Sequence, residues 1–210
     1  PGIDLSKVKP DTYGSVPTCP AIQPILNSLA QLNQDETSPL YQALNLDHII
    51  LGGHSAGGTV ALQNGQFFEQ VRAVFAYAGH TLASTMLGFQ AGTVLKIASK
   101  PTLLLRGDRD GVIHRSRSRY GLEEHEPDAV AKTFDEAYQT TAGSKAFDVL
   151  IQGANHFSIS YPLDETTGRS FLDEPATRPP AQIRAQIARL IVSFLRTKTL
   201  RGKHLVIRTK

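Results

Sequence analysis

The chain has very little sulfur. Of its 210 residues one is cysteine, Cys19, and one is methionine, Met86. A single cysteine excludes a disulfide within the chain and any CxxC metal or redox motif. HExxH spacing is also absent, so no metal site is expected. Tryptophan is missing altogether. No apolar run reaches the ~18 residues that a membrane span needs, so no membrane span is expected. Charge of one sign is scarce: 22 Lys and Arg stand against 19 Asp and Glu, for a net charge of +3. The basic residues are dispersed and not interleaved with aromatics, which argues against a nucleic-acid partner. The densest stretch, His114-Arg115-Ser116-Arg117-Ser118-Arg119, alternates its arginines, so they cannot share one helix face. Asp108-Arg109-Asp110-Gly111 lacks the later ligands of a calcium loop, and its glycine comes two places too early.

What is present fits a globular protein: 40% apolar and 20% charged residues. The length suits one domain with a real core. That domain is expected over residues 1–198, followed by a basic tail at 199–210 that contains His204. The first residue is Pro1, so an N-terminal targeting region is not visible and no compartment is assigned. Oligomeric state is likewise not legible.

Apolar periodicity sets the elements. Ile22, Ile25, Leu26, Leu29 and Leu32 predict an amphipathic helix. A short helical turn is expected at 40–44. Continuously apolar runs predict four strands, at 47–52, 71–77, 101–106 and 146–151. Helices are expected at 55–69, at 127–141 with Pro127 near its first turn, and at about 180–197. In the last of these, Ile183, Ile187, Leu190, Ile191, Phe194 and Leu195 form one stripe. Strands that are apolar on both faces and alternate with helices predict an α/β fold with a mostly parallel sheet, covered on both faces by helices. In such sheets active residues gather at the carboxyl ends of the strands.

Polar residues interrupt the apolar pattern at those ends. Gly53-His54-Ser55-Ala56-Gly57 follows the first strand and matches a G-x-S-x-G nucleophile elbow. Its tight strand-to-helix turn strains the serine backbone. Side chains at Gly53 and Gly57 are expected to collide with neighbouring chain. The turn places Ser55 at a helix N-terminus, where developing negative charge is favoured and the Ala56 N–H can donate to an oxyanion. A serine needs a base, and the base needs an orienting carboxylate. Asp108 and Asp110 follow the third strand. Asp110 is the preferred acid because Val112 and Ile113 can tuck into the core behind it, and Asp108 suits a turn. His156, in Gly153-Ala154-Asn155-His156-Phe157 after the fourth strand, is the candidate base. His54, His80 and Phe157 are the candidate substrate-lining residues, although His80 suits a plain loop role as well. The His54 side chain is expected to point away from the base.

GGHSAGG, LLLRGDRDGVI and LIQGANHF, in that order, resemble the α/β-hydrolase superfamily over about residues 20–197. The elbow is similar to that of the dienelactone-hydrolase, chlorophyllase and polyester-hydrolase branch. The resemblance implies a serine hydrolase that cleaves a carboxylic ester of a small molecule through an acyl-enzyme, with no cofactor. A peptidase of the prolyl-oligopeptidase type and a non-enzymatic binding module on the same scaffold are the alternatives. The resembling fold has eight strands, with the elbow after the fifth. Four are read here, so its N-terminal strands are expected to be missing from this chain. With them would go the HG-type segment that donates the second oxyanion-hole amide.

Overall fold

The computed structural model describes residues 2–96, 100–138, 145–163, 166, 170–197 and 205–209. Its centre is a five-stranded sheet of β1 (Ile49–His54), β2 (Val71–Tyr77), β3 (Thr102–Gly107), β4 (Ala146–Ile151) and β5 (Leu205–Thr209), in the order β1-β2-β3-β4-β5. The first four strands pair in parallel. β5 runs antiparallel to β4, with Val149 opposite Ile207. The fold is therefore a mostly parallel α/β fold. β5 lies within the segment read as a basic tail. Its alternation is too short to register as a strand without β4 beside it. His204 falls outside the described residues.

Among the described residues, five α-helices form: α1 (Ile22–Gln34), α2 (Ala56–Asn64), α3 (Gly111–Arg115), α4 (Ala129–Ala137) and α5 (Pro180–Thr197). The pleat sends alternate side chains to opposite faces. Tyr77, Leu103, Leu105, Val149 and Ile151 meet Ile183, Ile187, Leu190 and Phe194 of α5 on one face. Val74, Ala76 and Leu104 meet Ala61 and Leu62 of α2 and Val130 and Phe134 of α4 on the other. Full burial of each such apolar side chain contributes roughly 1.5–3 kcal/mol.

Several sequence expectations are corrected. The α1 stripe is partly uncovered: Leu26 is buried and Ile22 and Leu29 are half-buried, but Ile25 and Leu32 are exposed. Leu26 packs with Ile49 and Leu51 of β1, and among the described residues no strand lies beyond that edge to cover the rest. Leu195 is exposed as well, one step outside the α5 stripe. No helix forms at 40–44. Gln42 takes a positive φ of 52°. Asn33 closes the loop by accepting from the Leu44 N–H and donating to the Leu44 carbonyl. Pro127 precedes α4 rather than opening it. Asp128 is the cap, its carboxylate accepting from the N–H groups of Val130 and Ala131, a common use of aspartate. The later part of the helix read at 127–141 falls outside the described residues.

An ion network centred on the buried Asp148 links β3, β4 and β5. Arg106 donates from Nε and Nη2 to the two oxygens of Asp148, at 2.8 and 2.9 Å, and from Nη1 to Asp128 at 2.7 Å. Arg208 of β5 reaches Asp148 at 3.4 Å and also pairs with Asp135. Burial opposes the Arg106 charge, but the hydrogen-bonded carboxylates of Asp148 and Asp128 outweigh it and hold the guanidinium protonated. Asp148 has no exposed side-chain surface. Its removal takes away the bidentate partner of Arg106 and leaves it the partly exposed Asp128, so Asp148→Ala is expected to cost about 3 kcal/mol of stability. Urea unfolding checks this, and a loss under about 1 kcal/mol would mean that the network behaves like an exposed pair.

Candidate active site

Ser55, Asp110 and His156 all follow carboxyl ends of parallel strands, β1, β3 and β4. Ser55 has φ 54° and ψ −123°, a conformation that costs a non-glycine residue about 1–3 kcal/mol. The turn is held by Ser55 N–H donating to the Tyr77 carbonyl at 2.9 Å and by the Thr59 N–H donating to the Ser55 carbonyl at 3.0 Å. The Ser55 hydroxyl makes no capping bond to α2, so it remains available at the helix N-terminus. Ala56 opens that helix, and first-turn N–H groups have no intrahelical acceptor.

The glycine requirement of the turn is only partly as expected. A Cβ at Gly53 would lie 2.2 Å from the Gly57 carbonyl carbon, so no side chain fits there. A Cβ at Gly57 would meet nothing within 4 Å. The second close approach is at Gly58 instead, whose Cβ would stand 3.1 Å from Ala76 Cβ and 3.1 Å from Gly79 Cα. Helix α2 is thus pressed onto β2 one residue later than the motif suggests.

The Asp110 carboxylate caps α3, accepting from the Ile113 N–H at 2.8 Å. Both of its oxygens lie within reach of His156 Nδ1, at 3.0 and 2.9 Å. The two side chains are 6% and 2% exposed. A carboxylate only accepts, so Nδ1 carries the proton and Nε2 of the neutral ring is left as the acceptor. Asp108 does a different job: its Oδ1 accepts from the Gly153 N–H at 2.6 Å, bridging the loops after β3 and β4. His156 is held from behind by its own turn. Tyr77 donates its hydroxyl to the Asn155 carbonyl at 2.6 Å, and Ser158 Oγ accepts from the Asn155 N–H at 2.8 Å.

Contrary to the sequence expectation, His54 does not point away from His156. Its ring centroid stands 4.7 Å from that of His156 and 6.0 Å from Phe157. Among the described residues, its buried Nε2 has no hydrogen-bond partner of normal geometry. Burial, then the neighbouring His156, depress its basicity. The expectation failed because alternation along β1 gives the face of a side chain but not the path of the loop after β4, which brings His156 across. The His54 ring thus lies between the Ser55 turn and the His156 ring, although no hydrogen bond between Ser55 Oγ and His156 forms here. Such bonds often tighten only with substrate bound.

Phe157 stands edge-on to His156, with centroids 5.0 Å apart. It lines a cavity of about 760 Å³ with Asn155, Tyr161, Leu163, Pro175 and Arg184. Ser55 and His80 are not among the lining residues. His80 is buried, its Nδ1 accepts from the Leu82 N–H at 3.2 Å, and its ring abuts Tyr120. Burial lowers its pKa to about 4, so it is neutral at pH 7. These contacts give His80 a loop-holding role.

Among the described residues, no group of three or more His, Cys, Asp or Glu is placed to hold a metal ion. No helix among them is long and apolar enough to cross a membrane. Sequence reasoning missed Tyr77 and Asp173. Tyr77 reads as one more apolar strand residue, and nothing local marks Asp173. No protein-family model matches the chain. No curated protein matches it either.

Proposed function

We propose that the chain is a serine hydrolase of the α/β-hydrolase kind that cleaves the carboxylic ester of a small molecule. The observation that carries this reading is the buried His156–Asp110 pair, set at the same carboxyl end of the sheet as a serine in strained backbone at a helix N-terminus.

The mechanism follows from those positions. His156 Nε2 takes the Ser55 hydroxyl proton as Oγ bonds to the ester carbonyl carbon. The Ala56 N–H donates to the oxyanion that forms, aided by the α2 N-terminus. Asp110 holds the ring in the required tautomer and stabilises its positive charge. The tetrahedral intermediate collapses, the C–O bond to the alcohol breaks, and His156 returns its proton to the departing oxygen. Water, deprotonated by the same histidine, attacks the acyl-enzyme and releases the acid. Side chains, a backbone N–H and water suffice for these steps.

Hydrolysis of p-nitrophenyl butyrate, followed by release of p-nitrophenol, tests the reading. Saturable turnover that is lost in Ser55→Ala is expected. Cleavage of a peptide p-nitroanilide but not of the ester would favour a peptidase. Turnover of neither by folded protein would leave a non-enzymatic binding module.

A further inference from the structure

Residues 172–178 lie as a strap across the loops that carry the acid and the base. A Cβ at Gly111 would stand 2.5 Å from the Leu172 carbonyl oxygen and 2.9 Å from Glu174 N. The strap therefore presses on the residue next to Asp110, and only glycine allows it so close. On the other side, Asn155 Nδ2 donates to the Glu174 carbonyl at 2.7 Å, and the Thr177 N–H donates to the Gly153 carbonyl at 3.1 Å. Arg109 pairs with Glu174 at 3.2 Å.

Asp173 lies between these contacts. Its Oδ1 accepts from the Gly111 N–H at 3.0 Å, and its Oδ2 accepts from the Phe157 N–H at 3.3 Å. Oδ1 also accepts from the adjoining Glu174 N–H at 3.0 Å. Gly111 and Phe157 immediately follow Asp110 and His156. The geometry points to Asp173 as a positioning residue, whose carboxylate spans the acid loop and the base loop and sets Asp110 against His156. Its effect on turnover rests on the serine-hydrolase reading above.

The residue type matters. Both partners are N–H donors, and only a carboxylate offers acceptors at both ends. An asparagine would turn its NH₂ group toward one of the two donors. The charge has a cost, because Asp110 is close by. Burial raises the Asp173 pKa; the N–H groups of His156 and Gly111 oppose this; the Asp110 charge adds to the rise; and the Phe157 N–H again opposes it. Among the described residues, His156, Asp110, Tyr77 and the Arg109–Glu174 pair are charged or titratable groups around it. Protonation puts an O–H where an acceptor is required, so the bridge should open as pH falls through a midpoint above the ordinary aspartate range.

The test combines NMR with kinetics. In ¹⁵N-labelled wild type, the Gly111 and Phe157 amide signals are expected to titrate with one shared midpoint, absent in Asp173→Asn and Asp173→Ala. The His156 Nδ1 proton signal should broaden in both variants. On p-nitrophenyl butyrate, Asp173→Asn should lower kcat about tenfold and leave KM within about twofold, as for a residue acting through the catalytic pair. In an Asp110→Asn background the same change should cost less than about twofold, because two residues acting through one unit are not additive. Separate midpoints for the two amides, an unchanged His156 signal or an equal loss in both backgrounds would each overturn the proposal. Absence of ester turnover in wild type, with the shared midpoint and the broadened signal intact, would sink the hydrolase reading and leave the bridge standing.

Discussion

Ser55→Ala is expected to reduce ester turnover by about 10⁶-fold, the scale seen when the nucleophile of a serine–histidine–aspartate unit is removed. The fold should hardly notice. The Ser55 hydroxyl caps nothing, so its removal leaves no donor or acceptor of α2 unsatisfied. The strained backbone at φ 54° is as costly for alanine as for serine. Stability should therefore stay within about 0.5 kcal/mol of wild type, as for a substitution that disturbs no packing or buried bond. Thermal unfolding and p-nitrophenyl butyrate kinetics on the same sample separate the two effects. A variant that keeps more than a tenth of wild-type turnover would place the chemistry elsewhere.

Asp110→Asn should lower turnover by about 10³–10⁴-fold, the effect of holding the imidazole in the wrong tautomer. The structure explains why the loss should be catalytic and not structural. Asp110 does two things with one carboxylate: it caps α3 through Ile113 and accepts from His156 Nδ1. Asparagine retains an oxygen for the cap, where it serves about as well as aspartate. Its NH₂ group then faces Nδ1 and forces the ring proton to Nε2, where the base is needed. Asp108→Asn is the control. Asp108 accepts one bond, from Gly153, and an amide oxygen can accept it. Asp108→Asn should thus cost little turnover. A large loss in Asp108→Asn with near-normal Asp110→Asn would reverse the assignment.

The parts of this site that the sequence carried are those written in consecutive residues. Gly53 to Gly57 span the end of an apolar strand and the start of a helix, so the turn and its serine are legible directly. Asp110 and His156 were legible by order and by place, each just past an apolar strand. The sequence offered two aspartates, and the geometry distinguishes them: only Asp110 reaches His156. The contacts made across the chain were not legible. The His54 ring meets His156 because a distant loop crosses it. Asp173 sits in a proline-rich stretch with no periodicity, and its partners lie 62 and 16 positions away. Gly58 rather than Gly57 takes the tight contact because β2, not α2 alone, fixes how closely the helix packs. β5 is a strand only because β4 offers it an edge. The exposure of Ile25 and Leu32 has the same origin. Periodicity gives the apolar face of α1, and the neighbours decide whether it is covered.

The most direct test of the nucleophile assignment is covalent. The folded chain is treated with a fluorophosphonate, digested and mapped by mass spectrometry. One stoichiometric adduct on Ser55 is predicted, absent in Ser55→Ala and formed far more slowly in Asp110→Asn. An adduct on a different serine, or none on a sample with a native unfolding transition, would contradict the assignment of Ser55 as an activated nucleophile.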